Sequence, residues 1–405
     1  MPTIPARRSI LTGRRVFPFR GWHPYRGLLA EPGWGPITKP ATTFTSALHR
    51  AGYWTAYVTD NTGLGFSPVY RRWRHSFDSF VRRGGQFGGR STGVSERELR
   101  HWLPREMEDP ETRDRVRRYL ANGRYAHDET NSFAARVFRD AARVLETAKR
   151  QRPFALVVDT FEPHEPWTPP RKYVDMYGDP DYRGPEPARP YYAPVGRYLS
   201  GPRGQVLLSR MKALYAAEVT MTDRWLGVFL DKLHDLRLEL ETVIVLVSDH
   251  GFYLGDYGLT GKIPERLHPA LIQVPLIVVH PERRRRGQKR SYFASTHDVG
   301  PTILSMCGVR APHGMDGVDL SRFFRGRRPP ERDHAWGGYA DSFFIRSERW
   351  AMFGDNRGRD LHLYRKPRDV AEKRNLAPSH PGKARELYGA VLRRAGGPLP
   401  FYPRY

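Results

Sequence analysis

An adjacent carboxylate and imidazole, Asp249 and His250, are the residues of this chain with the clearest chemical potential. They follow the apolar, β-branched run Thr242–Val247, which predicts a strand buried on both faces of a parallel sheet. Ligand crevices of open α/β sheets lie outside the carboxyl ends of the strands, and a carboxylate beside an imidazole suits a divalent metal. From these residues alone, half of a metal site and a plain strand-to-loop turn with a capping Asp are equally good interpretations.

A longer pattern around the pair favours the metal site. Residues 248–262 resemble the SDHG-x-x-LG-x-x-G-x-x-GK signature of the sulfatases, in the alkaline phosphatase superfamily. In that family the Asp and its neighbour bind the metal, and the Lys contacts the anionic group of the ester. The resemblance therefore implies that Asp249 and His250 bind a metal and that Lys262 contacts the substrate anion.

A second resemblance lies at residues 3–13, which are similar to the sulfatase nucleophile motif C-x-P-S-R-x-x-x-x-T-G. Pro5 and Arg7 match the motif, whereas Ala6 replaces its Ser and Thr3 stands at the nucleophile position. The resemblance implies that Thr3 attacks the ester and that Arg7 holds its anionic group through guanidinium hydrogen bonds. The other interpretation is that Thr3 is a structural placeholder in a member without covalent catalysis.

The threonine changes the chemistry that the family motif implies. In the family, the Cys or Ser at this position is oxidised to formylglycine, whose hydrate releases sulfate by breaking its own C–O bond. An ester of Thr3 cannot do this, so water must attack sulfur or phosphorus, and attack at phosphorus is easier. Threonine is the nucleophile in phosphodiesterase branches of the superfamily, so Thr3 favours a phosphate or phosphonate ester.

A third motif follows the predicted strand Phe154–Val158. Residues 159–167 resemble the P-H-x-P segment of the family, whose His contacts the ester or the leaving group, and that role falls on His164. A histidine at a strand end can act as the general acid for a departing alkoxide. The alternative is a packed loop histidine held between Pro163 and Pro166.

One block departs from the family. Residues 51–62 resemble G-Y-x-T-a-x-x-G-K-W-H, but Asp60 and Thr62 replace the Lys and His that contact sulfate. The loss of both contacts argues against simple sulfate-ester specificity, and no catalytic role is carried over to Asp60. His268 and His297 lie near predicted element ends, where a structural role is favoured over a supporting role at the site.

The resemblance implies one divalent metal ion, with Ca²⁺ or Mn²⁺ favoured. Sulfatases have a strand that ends in paired Asp residues before the nucleophile motif, whereas here the motif begins at residue 3. Asp249 and His250 alone cannot supply the roughly six contacts that such an ion takes. We therefore expect either a true start upstream of Met1 or a non-catalytic copy, and the retained motif residues favour the first.

Local patterns predict the elements that position these residues. Predicted strands cover 154–158, 243–247 and 275–279, and predicted helices cover 129–149, 207–233 and 299–307. This alternation predicts an α/β fold with a mostly parallel central sheet flanked by helices. The resemblance makes the expected fold alkaline phosphatase-like. Residues 169–204, rich in Pro, Tyr and Gly, predict a long ordered loop.

The end of the chain has a different pattern. Residues 342–346, 350–353 and 360–364 predict antiparallel strands. Arg346, Trp350, the pair Leu363-Tyr364 and the segment 375–377 resemble the small antiparallel subdomain that closes sulfatases. We therefore predict a sulfatase-like catalytic domain over residues 1–330 and a small C-terminal antiparallel subdomain over residues 331–405.

Composition limits the partners. The net charge is +24, but the densest basic run, 283–290, has no interleaved aromatic residues and no nucleic-acid-binding module around it, which argues against nucleic acid. No apolar stretch approaches the roughly 20 residues that span a bilayer, which argues against a membrane partner. Cys307 is the one cysteine, which excludes an intrachain disulfide, fits a reducing compartment and favours a cytoplasmic location.

Together these observations predict a metal-dependent hydrolase that acts on a small-molecule sulfate ester or a related phosphate ester, with Thr3 as the nucleophile. One alternative is a phosphodiesterase or phosphonate monoester hydrolase of the same superfamily. The other is a truncated, non-catalytic binding protein that uses its basic surface. The sequence does not predict the physiological ester or the oligomeric state.

Overall fold

The structure is a computed structural model that describes residues 3–39, 42–86, 92–123, 128–282 and 284–402. These residues form two compact units. The terminal unit draws its described residues from 1–51, 240–252 and 262–405, and the middle unit draws its own from 52–239 and 253–261. The domain boundary at residue 330 stays a prediction.

Strands and helices alternate along much of the chain. The strands are β1 (Trp54–Thr59), β2 (Ser79–Arg82), β3 (Phe154–Asp159), β4 (Ala193–Pro194), β5 (Ile244–Val247), β6 (Tyr253–Leu254), β7 (Leu259–Gly261), β8 (Leu276–Val279), β9 (Ala335–Tyr339), β10 (Ser342–Arg346), β11 (Trp350–Asp355) and β12 (His362–Arg365). The helices are α1 (Thr3–Thr12), α2 (Phe44–Arg50), α3 (Thr62–Phe66), α4 (Arg71–Arg74), α5 (Glu96–Trp102), α6 (Pro110–Gly123), α7 (Phe133–Ala148), α8 (Arg171–Val174), α9 (Gly201–Asp235), α10 (Pro269–Ile272), α11 (Val299–Met306) and α12 (Pro381–Ala395).

The middle unit is built on a parallel sheet with the strand order β2-β1-β3. The pairing of β1 with β3 ends at Thr59 and Asp159, so the loops that carry Asp60 and His164 leave the same edge. Helix α7 is capped by Ser132, whose hydroxyl accepts a hydrogen bond from the amide of Ala135, and its apolar face covers this sheet. The packed side chains are Ala56, Val58, Val137, Ala141 and Val144.

The terminal unit contains an antiparallel sheet with the order β12-β11-β10-β9. Alternation in β10 buries Phe343 and Ile345, which pack in one core with Leu387 and Val391, spaced four residues apart on α12. Helix α12 ends at Gly396, whose φ of 69° is the left-handed conformation that terminates many helices. The antiparallel strands predicted near the C-terminus are therefore present.

Strand β5, which leads to Asp249 and His250, lies in the terminal unit and pairs with β8 in the antiparallel direction. Its residues are half-buried, so the expectation of a strand buried on both faces of a parallel sheet is wrong for this run. An unbroken apolar stretch identifies a strand, but it carries no information on the direction of the neighbour.

The α/β fold with a parallel sheet and a small antiparallel sheet is confirmed. The second predicted helix begins at Gly201 rather than at 207, and the predicted loop 169–204 contains α8 and β4. Strands β1, β2, β4, β6, β7 and β9 are not among the predicted ones. In the basic run, Arg283 lies outside the described residues, and 284–290 are exposed, with a turn at 284–287 followed by irregular backbone. No helix of the described ranges is long and apolar enough to cross a membrane.

Candidate active site

Asp249 and His250 follow the end of β5 and turn their side chains toward each other. The Nδ1 atom of His250 lies 2.8 Å from the carbonyl oxygen of Gly251, which only accepts, so Nδ1 carries the proton. The other ring nitrogen, Nε2, lies 3.5 Å from Oδ2 of Asp249. Burial lowers the pKa of His250 and favours the neutral ring, in which Nε2 presents a lone pair beside the carboxylate.

A short segment of backbone fixes this turn. The amides of Gly251 and Phe252 donate to the carbonyl oxygens of Leu271 and Ala270, at 2.8 and 3.0 Å. A Cβ atom at Gly251 would lie only 2.0 Å from the carbonyl oxygen of Ala270. The close approach of α10 therefore requires glycine in the fourth position of the signature.

The nucleophile motif forms α1, and its arginine reaches the same turn. The guanidinium of Arg7 contacts the carboxylate of Asp249, and it donates to the carbonyl oxygen of Thr3 at 3.3 Å. Burial alone would raise the pKa of Asp249, but His250 and Arg7 hold it well below its usual range. Asp249 is therefore ionised at neutral pH.

Thr3 is buried at the first turn of α1 and has a φ of 33°. A β-branched residue rarely adopts this left-handed region, and such strained positions are concentrated at functional sites. The structure therefore brings Thr3, Arg7 and the Asp249-His250 pair together within the terminal unit, joined through the Arg7 guanidinium.

Lys262 also belongs to the terminal unit. Its side chain is buried, and its ammonium nitrogen lies 5.5 Å from the ring centre of Phe252. Its charge is one of the causes that lower the pKa of His250, after burial itself. A buried cation near the Asp249-His250 turn matches the predicted anion-binding role, which stays a prediction.

His164 belongs to the middle unit, so its role at the site stays a prediction. Its Nδ1 atom lies 2.6 Å from the carbonyl oxygen of Glu165 and must donate to it. The ring stacks on Phe161 with a centroid distance of 4.3 Å, and Gln86 donates to the backbone carbonyl of His164 at 3.0 Å. The Nδ1 contact places a proton on Nδ1, and the other two contacts hold the ring and the backbone in position.

Two side chains at this turn have the chemistry of metal ligands. Asp249 and His250 are suitable donors, but the described parts of the chain contain no group of three or more His, Cys, Asp or Glu side chains that could hold a metal ion. An ion at this turn would therefore need further donors besides these two side chains.

The other candidate histidines have structural surroundings. His268 is buried, and its Nδ1 lies 2.7 Å from Oε2 of Glu372, which also contacts Arg346. His297 is buried, and burial with the charges of Arg15 and Arg332 lowers its pKa to about 2. Glu372 has no sequence signal that marks it as a partner of His268.

Asp60, the departure from the family pattern, is buried and accepts the amide of Phe161 at 2.7 Å. Burial, with the nearby charge of Glu162, raises its pKa to about 8. Its carboxyl group is therefore largely neutral at pH 7 and cannot replace the positive charge of the lysine found at this position in the family.

Known proteins resemble this chain over most of its length. The sulfatase family model matches residues 1–309. An arylsulfatase of Clostridium perfringens is 27% identical over 270 residues, which are 62% of this chain and 55% of that protein. The multifunctional alkaline phosphatase superfamily protein PehA of Trinickia caryophylli is 26% identical over 367 residues, which are 82% of this chain and 68% of that protein.

The fold has solved counterparts. The structure of a phosphonate monoester hydrolase from Silicibacter pomeroyi superimposes with a TM-score of 0.68 at 21% identity, covering 97% of this chain and 86% of that chain. At this identity the likeness shows the fold alone, and it confirms the alkaline phosphatase-like architecture expected from the motifs. With the family model matched over most of its length, this chain belongs to the sulfatase family.

Proposed function

We propose that this chain hydrolyses a small-molecule sulfate ester or a related phosphate ester, with Thr3 as the nucleophile. The observation that carries the proposal is the contact of Arg7 with Asp249. It draws the nucleophile motif and the metal-binding signature to one buried place, although 242 positions separate the two residues. The chain spans 55% of the length of the arylsulfatase described above, so the activity of the whole protein is part of the proposal.

Each chain residue has one role in the proposed reaction. The Thr3 hydroxyl gives its proton to solvent water, and its oxygen forms a bond to sulfur or phosphorus while the bond from that atom to the leaving oxygen breaks in line. Arg7 and Lys262 hold the non-reacting oxygens and offset their negative charge. His164, when it is also protonated at Nε2, gives that proton to the leaving alkoxide and returns to the neutral ring. Water then attacks the same sulfur or phosphorus atom and releases Thr3.

Sulfatase family members generally use a divalent metal ion. We propose Ca²⁺ or Mn²⁺, held by Asp249 and His250 together with further oxygen donors. When bound, such an ion supplies positive charge at the reacting oxygens. Direct binding tests this part: equilibrium dialysis with Mn²⁺ should show weaker retention by the Asp249→Asn and His250→Ala variants than by the unmodified chain.

The activity test is a panel of p-nitrophenyl sulfate, p-nitrophenyl phosphate, bis-p-nitrophenyl phosphate and p-nitrophenyl phenylphosphonate, with Mn²⁺ or Ca²⁺. On the best substrate, Thr3→Ala should lower kcat by about a thousandfold or more, and Thr3→Ser should retain a measurable part of it. The matched control is Thr12→Ala, which removes the other threonine hydroxyl of the same helix. Full activity of Thr3→Ala would reject the nucleophile.

The panel also separates the second candidate function, a phosphodiesterase or phosphonate monoester hydrolase. The observation that favours it is Thr3 itself, because its ester must be cleaved at sulfur or phosphorus rather than at carbon. Asp60 supports it, since a largely neutral acid replaces a sulfate-binding lysine. Faster turnover of the phosphonate or the diester than of the sulfate would select this function over a sulfatase.

A further inference from the structure

A basic cavity lies in the middle unit, formed by residues that the proposed function does not use. Arg71, Arg74 and His75 have the i, i+3, i+4 spacing that places side chains on one helical face. Phe80 and Arg82 have the i, i+2 spacing that places them on one face of β2. The two faces line an open cavity of about 500 Å³, within the size range of small-molecule sites.

Backbone carbonyl groups hold two of the guanidinium groups in place. Arg74 donates to the carbonyl oxygens of Leu64 and Ser67, at 3.0 and 2.8 Å. Arg82 donates to the carbonyl oxygen of Gly65 at 3.4 Å. These neutral acceptors orient the two side chains without cancelling their charge, so less conformational entropy remains to be lost when a ligand binds.

The positive charge of the cavity is not neutralised within the described part of the chain. No carboxylate among those residues forms an ion pair with Arg71, Arg74 or Arg82. Burial, followed by the charges of Arg82 and Arg71, lowers the pKa of Arg74, so the three guanidinium groups are close enough to repel one another. An anion placed between them would relieve this repulsion.

Phe80, the aromatic residue that lines the cavity, is packed against three other aromatic rings. The ring of Phe80 stacks on Tyr57 with a centroid distance of 5.3 Å and meets the edges of Trp73 and Phe77 at 5.8 and 5.7 Å. The solvated arginines of an ordinary basic surface do not require a packed aromatic ring among them. An aromatic residue among convergent arginines suits a ligand that has a ring as well as an anionic group.

We propose that this cavity binds a small organic phosphate or sulfate, with its anionic group between Arg71, Arg74 and Arg82 and its ring against Phe80. Guanidinium groups recognise such tetrahedral oxyanions through paired hydrogen bonds. The volume of about 500 Å³ leaves room for a ring beside the anion. The site is a binding site, with no nucleophile or general acid assigned to it.

Calorimetric titration of the whole chain with phenylphosphonate, which has no ester bond to hydrolyse, tests the proposal. The double variant Arg71→Gln/Arg82→Gln should weaken one binding event by about tenfold or more, since it removes two charged donors. Both arginines are exposed, so the variant should fold, and its turnover of the best panel substrate should stay unchanged. Arg72→Gln is the matched control, because Arg72 is an exposed neighbour on α4 that does not line the cavity.

Inorganic phosphate in a second titration separates the two sources of the anion. Tighter binding of phenylphosphonate than of inorganic phosphate, with loss of that preference in Phe80→Leu, supports an organic ligand. Equal affinity for the two probes overturns the ring contact and leaves a site for free oxyanions. An equal loss in Arg72→Gln, or no loss in the double variant, overturns the site as a whole.

Discussion

The guanidinium group of Arg7 contacts the carboxylate of Asp249, and both side chains are largely shielded from solvent, with 11% and 19% of their surface exposed. Each charge is thus partly neutralised by the other. Because an ionised group in such a place needs a partner, the contact supports the fold as well as the proposed site.

We expect Arg7→Gln to lower the free energy of unfolding by about 2 kcal/mol, since it leaves Asp249 without its cationic partner. Asp249→Asn should have a similar effect, and the double variant should lose less than the sum of the two. Urea unfolding measures all three. Arg8→Gln, on the same helix, is the control for loss of one positive charge. Strictly additive losses would show that the two residues are not coupled.

Adjacent residues were the easiest part of the site to predict. Asp249 and His250 are neighbours in sequence, so any strand end at this point brings their side chains near each other. Arg7 reaches Asp249 through tertiary packing, and no spacing rule predicts a contact over 242 positions. The family resemblance supplied this juxtaposition, and the residue pattern alone did not.

Strand direction and buried acids were harder to predict. The run at β5 predicts a strand, but its antiparallel partner β8 is set by the path of the intervening chain.

Glu218 is fully buried on α9. It lies on the same buried helix face as Ala217 and Met221, and these apolar neighbours indicate that its carboxyl group does not lie at the surface. Its partner Glu162 lies in a loop, where burial has no periodic signature.

The glycine of the signature gives the second prediction. Gly251→Ala places a Cβ atom 2.0 Å from the carbonyl oxygen of Ala270, which also accepts the amide of Phe252. We expect a stability loss of about 2 kcal/mol or more, because backbone must shift to relieve the overlap. Gly382→Ala, in α12, is the control: nothing lies within 4 Å of its Cβ position, and alanine favours helix. Equal melting temperatures for the two variants would contradict the close approach.

The buried acids of the middle unit give the third prediction. Glu162 and Glu218 are both buried, and the charge of Glu162 acts on Glu218. Two nearby buried carboxylates repel each other, which favours protonation of one of them. Burial raises the pKa of Glu162 to about 7 and that of Glu218 well above its usual value. Burial and the charge of Glu162 raise the pKa of Asp60 to about 8. The folded chain therefore holds protons here that the unfolded chain releases near pH 4.

Because the folded state binds more protons between about pH 4 and 8, these groups contribute stability at low pH that is lost as pH rises. We expect the melting temperature of the unmodified chain to fall between pH 6 and 8. The same fall should be smaller, by about 2 °C or more, in Glu218→Gln, whose side chain cannot ionise. The control is Asp181→Asn, whose side chain is 92% exposed. Parallel pH profiles for the unmodified chain and Glu218→Gln would contradict the raised pKa values.

The fourth prediction concerns support of the Asp249-His250 turn from the C-terminal part of the chain. Glu372 is buried, and its carboxylate contacts both the Nδ1 atom of His268, at 2.7 Å, and the guanidinium of Arg346. His268 directly precedes α10, and the carbonyl groups of Ala270 and Leu271 in α10 accept hydrogen bonds from the amides of Phe252 and Gly251. A chain of contacts therefore links Glu372 to the turn.

We expect Glu372→Gln to speed hydrogen–deuterium exchange in the peptide that contains residues 251–252, because the hold on His268 weakens and α10 loosens. The free energy of unfolding should fall by about 2 kcal/mol, since Arg346 loses its buried anionic partner. The control is Glu386→Gln, which removes an exposed carboxylate paired with Lys383 on α12. A role confined to global stability would speed exchange along the whole chain alike, whereas the proposed link predicts the largest change at the turn. Unchanged exchange there would remove Glu372 from the support of the site.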